Sequence, residues 1–136
     1  MCFSNGREVK TLAGCAFCSL PPERIWIQTE STIAFRDAYP LSNGHTLVIP
    51  RRHVYSLFDL PEEEQQHLWS QVSVVHRFLQ EAFNPDGFNV GLNDGQAAGQ
   101  TVSHAHVHII PRYTGDVTDP RGGVRWVIPA KATYWS

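Results

Sequence analysis

His104, His106 and His108 occupy alternate positions in the segment Ser103–Pro111. In an extended strand, side chains at i, i+2 and i+4 share one face and stand about 7 Å apart. Val107, Ile109 and Ile110 are β-branched and favour such a strand. Three imidazoles in a row can ligate a metal, attack a phosphorus or carbonyl centre, or move protons near neutral pH. The plain structural reading is a polar sheet edge whose histidines happen to alternate. With 7 histidines among 136 residues, three in five by chance is a poor explanation.

The segment before the histidines, Asn93-Asp-Gly-Gln-Ala-Ala-Gly-Gln100, is rich in breakers. Gly95 and Gly99 can let backbone N–H groups approach a phosphate, and Gln100 adds a neutral donor. A hairpin loop is the simpler alternative. Cys15 and Cys18, in Cys-Ala-Phe-Cys, form half of a zinc site. There is no second Cys-x-x-Cys, so histidine must complete it, from His45, His53, His67, His76 or the triad. A redox pair and a purely structural pair are the alternatives. Pro21-Pro22 breaks the helix that a thioredoxin-like site needs.

These residues must be held by a small set of elements. Arg24–Thr29, Ser31–Arg36, His45–Ile49, Phe88–Leu92 and Val102–Pro111 read as strands. Tyr39–Gly44 is a turn cluster. Leu60–Phe83 reads as the one long helix, with Pro61 and Glu62–Glu64 suited to its first turn. Leu68, Val72, Val75, Leu79 and Ala82 form its apolar stripe. His67 and His76 on this helix read as ordinary boundary residues. Residues 1–24 look irregular, and Gly122–Pro129 reads as a turn and a short strand. The order implies an α+β fold with an antiparallel sheet of about five strands.

Length and composition set the class. At 136 residues, 42% hydrophobic and 18% charged, the chain is one ordinary globular domain. A net charge of -2 gives no basic field for long nucleic acid. No apolar run is long enough for a transmembrane helix, and residues 1–10 lack the apolar core of a signal peptide. Three cysteines do not make a secreted disulfide framework, so a reducing, cytoplasmic setting is expected. Cys2 has no evident role.

The run from Asn93 to Arg112, with Ala98-Gly-Gln100 before the histidines and Ile109-Ile110 after them, resembles the signature of the histidine triad (HIT) superfamily of nucleotide hydrolases and transferases. Ala34-Phe-Arg-Asp37 and Asn43-Gly-His-Thr-Leu-Val-Ile-Pro-Arg-Arg-His53 resemble its N-terminal half, in the right order. The resemblance spans about Cys15 to Asp116 and implies a HIT-like fold for residues 1–136, with 117–136 as a C-terminal extension. It implies that His106 attacks the α-phosphorus of a nucleotide and forms a nucleotidyl-histidine. His108 and His45 would hold the phosphoryl oxygens, and Gln100 would face the leaving group. Asn93, Gly99 and Thr101 would shape the phosphate pocket. Asp37 would accept ribose hydroxyls, and Ile33 and Phe35 would contact the base or simply pack the core. Zinc-bearing members imply that Cys15, Cys18, His53 and His104 form a structural metal site, with His104 a ligand and not a catalyst.

Within the superfamily, transferases such as galactose-1-phosphate uridylyltransferase carry glutamine at the third triad position, whereas this chain keeps His108. Pro111-Arg-Tyr-Thr-Gly-Asp116 is similar to the fragile histidine triad branch, which cleaves diadenosine polyphosphates. That branch implies release of AMP, with Arg112 steadying distal phosphates and a divalent ion such as Mg2+ accompanying the substrate. A phosphoramidase, and a zinc-stabilised nucleotide sensor without turnover, are the competing readings. Trp126, Tyr134 and Trp135 can stack on a second base or pack the tail onto the body, and Trp26 and Trp69 read as packing residues. The amphipathic helix and the habit of the family imply a homodimer.

Overall fold

In the computed structural model, residues 10–136 are described throughout. Before them only the backbone of two short paired strands is described, β1 (Phe3–Ser4) and β2 (Arg7–Glu8). Cys2 lies outside the described residues.

The main sheet is antiparallel, built from β3 (Ile25–Gln28), β4 (Thr32–Arg36), β5 (Thr46–Pro50), β6 (Gly87–Gly91) and β7 (Val107–Arg112), in the order β3-β4-β5-β7-β6. One long helix, α1 (Glu62–Phe83), links β5 to β6. Pro61 occupies its N-cap with φ -52°, and Glu62–Glu64 face the positive end of its dipole. It ends at Asn84, whose N–H still bonds the Gln80 carbonyl and whose φ of 48° then turns the chain out of the helix. Alternation along the strands divides the side chains between two layers. Ala34, Val48, Val107 and Ile109 pack under Leu68, Val72, Val75 and Leu79 of α1. Ile33, Phe35, Leu47 and Ile49 face the other way, where Phe17, Leu20 and Ile25 cover them. In the expected stripe Ala82 is exposed and Gln71 is buried instead.

Two expectations need correction. The last strand begins at Val107 and not at Val102, so only His108 of the three histidines lies in it. The preceding backbone leaves the sheet because Ala105 N–H bonds the Val54 carbonyl at 2.8 Å, outside any strand ladder. Gly122–Pro129 contains no strand: the segment forms 3-10 turns at Gly123–Val127 and Pro129–Lys131. Positive φ at Gly122 and Gly123, 94° and 47°, turns the chain before it can extend. The strand read as His45–Ile49 runs from Thr46 to Pro50, and Pro50 pairs with Thr32.

The Tyr39–Gly44 turn brings β5 back beside β4. A side chain at Gly44, φ 91°, would meet the Phe83 ring at 3.0 Å, so only glycine lets the turn lie against the end of α1. Among the described residues, no helix is long and apolar enough to cross a membrane.

Candidate functional site

Cys15, Cys18, His53 and His104 converge from three parts of the chain, with one ligand atom from each lying within 4.8 Å of every other. Cys15 Sγ is 3.6 Å from His104 Nδ1, and Cys18 Sγ is 3.3 Å from His53 Nδ1 and 3.4 Å from His104 Nδ1. Zinc bonds of about 2.3 Å to sulfur and about 2.05 Å to nitrogen give a tetrahedral S···N edge of roughly 3.5 Å. The donor set and its spacing therefore fit a tetrahedral metal ion. His104 is prepared for that role: its Nε2 is 2.7 Å from the Pro50 carbonyl. A carbonyl only accepts, so Nε2 carries the hydrogen and the Nδ1 lone pair faces the cluster.

The same rule assigns the other histidines. His106 Nδ1 lies 2.9 Å from the carbonyl of His104, so it donates there and leaves the Nε2 lone pair available. Leu41 N–H donates to His45 Nδ1 at 3.0 Å. The remaining hydrogen of a neutral His45 therefore sits on Nε2, 2.9 Å from His108 Nδ1 and 3.5 Å from Asp37 Oδ2. His108 must then carry its own hydrogen on Nε2. The chain Leu41–His45–His108 thus ends in an N–H donor on a ring that neighbours His106. The His106 and His108 ring centroids are 5.1 Å apart. The atoms of Asp37, His45 and His108 are also close enough to suggest a metal. A 2.9 Å N···N separation is a hydrogen bond, shorter than the roughly 3.3 Å between two imidazole nitrogens on one zinc.

Burial opposes protonation of His108 and His45. His108 is pushed down to about 4 by burial and then by neighbouring His106 and His45, against the pull of Asp37. His45 is lowered by burial, partly offset by Asp37. Unfolded histidines titrate near 6.5. Between that pH and about 4 the unfolded chain binds protons that the folded chain refuses, so stability falls as pH falls through this window. Urea unfolding should give a lower midpoint at pH 4.5 than at pH 7.5; an equal midpoint would show that His108 and His45 are not held neutral by the fold.

The family model for the HIT domain matches residues 21–115. The chain belongs to the HIT domain family. An uncharacterized HIT-like protein of Methanocaldococcus jannaschii is 37% identical over 106 residues, covering 75% of this chain and 81% of that protein. The asymmetrical bis(5'-nucleosyl)-tetraphosphatase of Schizosaccharomyces pombe is 40% identical over 96 residues, covering 71% of this chain and 53% of that enzyme. The bis(5'-adenosyl)-triphosphatase of Dictyostelium discoideum is 42% identical over 88 residues, covering 65% and 59%. The chain thus spans somewhat over half the length of these two enzymes. A zinc-bound histidine triad family protein from Mycobacterium smegmatis has a similar fold, with a TM-score of 0.69 and 37% identity over 78% of this chain and 80% of that one.

The remaining residues singled out from the HIT signature are placed unevenly. Gln100 is buried, its Oε1 accepting from Gly95 N–H and its Nε2 donating to the Tyr55 and Val102 carbonyls. Gly99 N–H bonds the Gln96 carbonyl, so the N–H groups of Gly95 and Gly99 are used inside the loop. Asn93, Gly99 and Thr101 are exposed. Asp37 accepts from Tyr39 N–H through Oδ1 and keeps Oδ2 beside His45. Ile33 and Phe35 are buried at 6% and 1% exposure, in the cluster with Phe17. Arg112 bonds Asp116 through Nε and Nη2 and Asn89 through Nη1. His67 meets Ser31 and His76 stacks on Phe88, both away from the triad's contacts.

Two parts of the site went unread in the sequence. One is Leu41, which acts through its backbone N–H and leaves no side-chain signal. The other is Phe17, whose ring stands edge-on to His104 at 5.9 Å and to His106 at 5.4 Å. Its position inside Cys15-Ala-Phe-Cys18 was the available clue, since a metal-bound turn fixes whatever it carries.

Proposed function

We propose that this chain is a hydrolase of dinucleoside polyphosphates that works through His106 and releases a nucleoside monophosphate such as AMP. The observation that carries the reading is the His106 Nδ1 contact with the His104 carbonyl, which in the neutral ring puts the hydrogen on Nδ1 and leaves the Nε2 lone pair as the nucleophile. Relatives named as a tetraphosphatase and triphosphatases of bis-nucleosides support it.

In the first half-reaction the Nε2 lone pair forms a bond to the α-phosphorus. The bond from that phosphorus to the bridging oxygen breaks, and the electrons leave on the departing nucleoside di- or triphosphate. In the second, water adds to the phosphorus, the N–P bond returns its electrons to Nε2, and a proton goes to solvent. The protein's part is positioning and charge stabilisation. His108 Nε2–H donates to a phosphoryl oxygen. His45 has both nitrogens engaged and acts through His108, whose hydrogen it fixes. Asp37 holds the ribose, Gln100, Asn93, Gly99 and Thr101 shape the phosphate loop, Arg112 stands at the distal end, and Ile33 and Phe35 back the base. A divalent ion such as Mg2+ would accompany the polyphosphate, whose oxygens suit it.

The metal at Cys15, Cys18, His53 and His104 is zinc in this reading. A closed Cys2His2 set leaves no open position, so zinc would supply a structural tie and no Lewis acid. A reducing cytoplasm would keep the thiols available. In the same reading the molecule acts as a homodimer whose α1 helices pack across a two-fold axis.

The test is product analysis with diadenosine tri- and tetraphosphate and an adenosine phosphoramidate. AMP with ADP or ATP, faster than from the phosphoramidate, is expected. Faster release from the phosphoramidate would place the enzyme in the other branch; AMP binding without turnover of any of these would make it a sensor. For His45→Ala we expect kcat to fall roughly 10- to 100-fold, the usual cost of losing an orienting partner, with KM little changed. His45→Gln, which restores an N–H donor, should recover part of the loss. A raised KM at unchanged kcat would mean that His45 binds substrate directly.

A further inference from the structure

The tail beyond the HIT domain match folds back over the sheet face that carries His108. Arg112 starts the turn by clamping Asp116, whose carboxyl it holds down at about 2. Tyr113 donates to the Asn43 carbonyl and Thr114 N–H to Asp86. The rest of the tail packs mostly on itself. Ala132 is fully buried, Arg125 donates to the carbonyls of Ala132 and Lys131, and Arg121 stacks on Trp135. Between this tail and the sheet lies a cavity of about 610 Å3, within the range of small-molecule sites.

Three features decide what the cavity fits. The first is place. Its floor is the cross-strand pair Ile110 and Asn89. Ile110 follows His108 on the same face of β7, and Asn89 lies on β6. The strand order puts this floor on the side of His108 away from β4, which carries Phe35 and leads to Asp37. The second is charge. Arg112 is paired with Asp116, and Asp119 with Arg121, so each charged wall residue has its partner. The wall thus carries no unpaired charge. The third is surface. Leu41, Val124 and Trp126 present apolar area that the protein leaves uncovered, at 75%, 64% and 46% exposure. The Trp126 ring is fixed because its Nε1–H donates to the Arg121 carbonyl at 2.9 Å. A neutral, flat group with polar edges matches such walls.

We propose that this cavity holds the nucleobase of the leaving nucleotide, stacked on Trp126, and selects dinucleotide substrates. The proposal rests on the hydrolase reading above. It assigns a role to the C-terminal extension 117–136, which lies outside the family match at 21–115.

The test compares two substrates in the full chain: diadenosine triphosphate, and adenosine 5'-phosphorofluoridate, which has the same α-phosphorus but no second base. Trp126→Ala should raise KM for the first about tenfold, as expected for a lost base stack, and leave kinetics on the second unchanged. Val124→Asp, at an exposed wall position that the fold tolerates, should act the same way. Equal effects on both substrates, or none on either, would overturn the proposal. A parallel titration with ADP should shift the indole N–H resonance of Trp126, identified by its absence in Trp126→Phe. If wild type turns over neither substrate yet this resonance shifts, the hydrolase reading falls and the base site stands. If it does not shift, the base site falls.

Discussion

Replacing His106 with alanine should lower kcat/KM for diadenosine triphosphate by about 10^4 or more, the scale seen when a covalent nucleophile is removed. AMP affinity should stay within a few-fold. The size of the effect follows from what the residue alone provides. His106 offers the nitrogen fixed as a lone pair by a backbone carbonyl, at 2.9 Å from His104 O. His108 has its Nδ1 bonded to His45 and presents hydrogen, so it cannot take over as nucleophile without inverting the whole Leu41–His45–His108 chain. Folding should survive, because the ring meets Phe17 and His108 and lies outside the core cluster under α1. Single-turnover experiments with labelled substrate should show a nucleotidyl adduct on wild type and none on His106→Ala. Hydrolysis within tenfold of wild type would exclude His106 as the nucleophile.

The legible parts of this molecule were those with short-range signals. The α1 stripe from Leu68 to Leu79, the strand alternation of Ala34 against Phe35 and Leu47 against Val48, and the breakers at Tyr39–Gly44 all act within a few residues, and the five-stranded antiparallel sheet follows from them. The metal set was legible only through resemblance, since Cys15-x-x-Cys18 admits several histidine partners until His53 and His104 are brought to it. The last strand was misjudged because alternation at His104 and His106 persists after the backbone has left the ladder. There Ala105 bonds Val54, and no local pattern announces a partner some 50 residues away. The tail differs from its strand-like reading because Val124-Arg-Trp-Val-Ile128 has strand composition, while two glycines of positive φ turn it. The tautomers of His45, His106 and His108 rest on main-chain groups of Leu41 and His104, which any residue could have supplied.

Removing the metal should act on stability first and on chemistry second. In Cys15→Ala, metal analysis should fall from about one zinc per chain to near zero. Tm should drop by roughly 10 °C or more, the shift for a loss of about 3 kcal/mol in a domain of this size. The four ligands join the irregular N-terminal segment, the loop after β5 and the strand entry at His104. The Cys15–Cys18 turn is also tied by Leu12 N–H to Cys18 Sγ and by Phe17, which packs on Phe35, His104 and His106. Activity should fall too, by about tenfold. The reason is geometric: the metal would hold His104 through Nδ1, its Nε2 donates to the Pro50 carbonyl, and its own carbonyl fixes the hydrogen of His106. A loosened His104 lets the His106 ring turn and populate the tautomer with hydrogen on Nε2, which cannot attack. The loss should therefore appear in kcat, with KM little changed, and adding zinc should not restore it in Cys15→Ala but should after chelation of wild type. Wild-type protein that carries no zinc, or a Cys15→Ala variant with unchanged Tm, would refute the metal site; lost stability with full kcat would refute the link from His104 to His106.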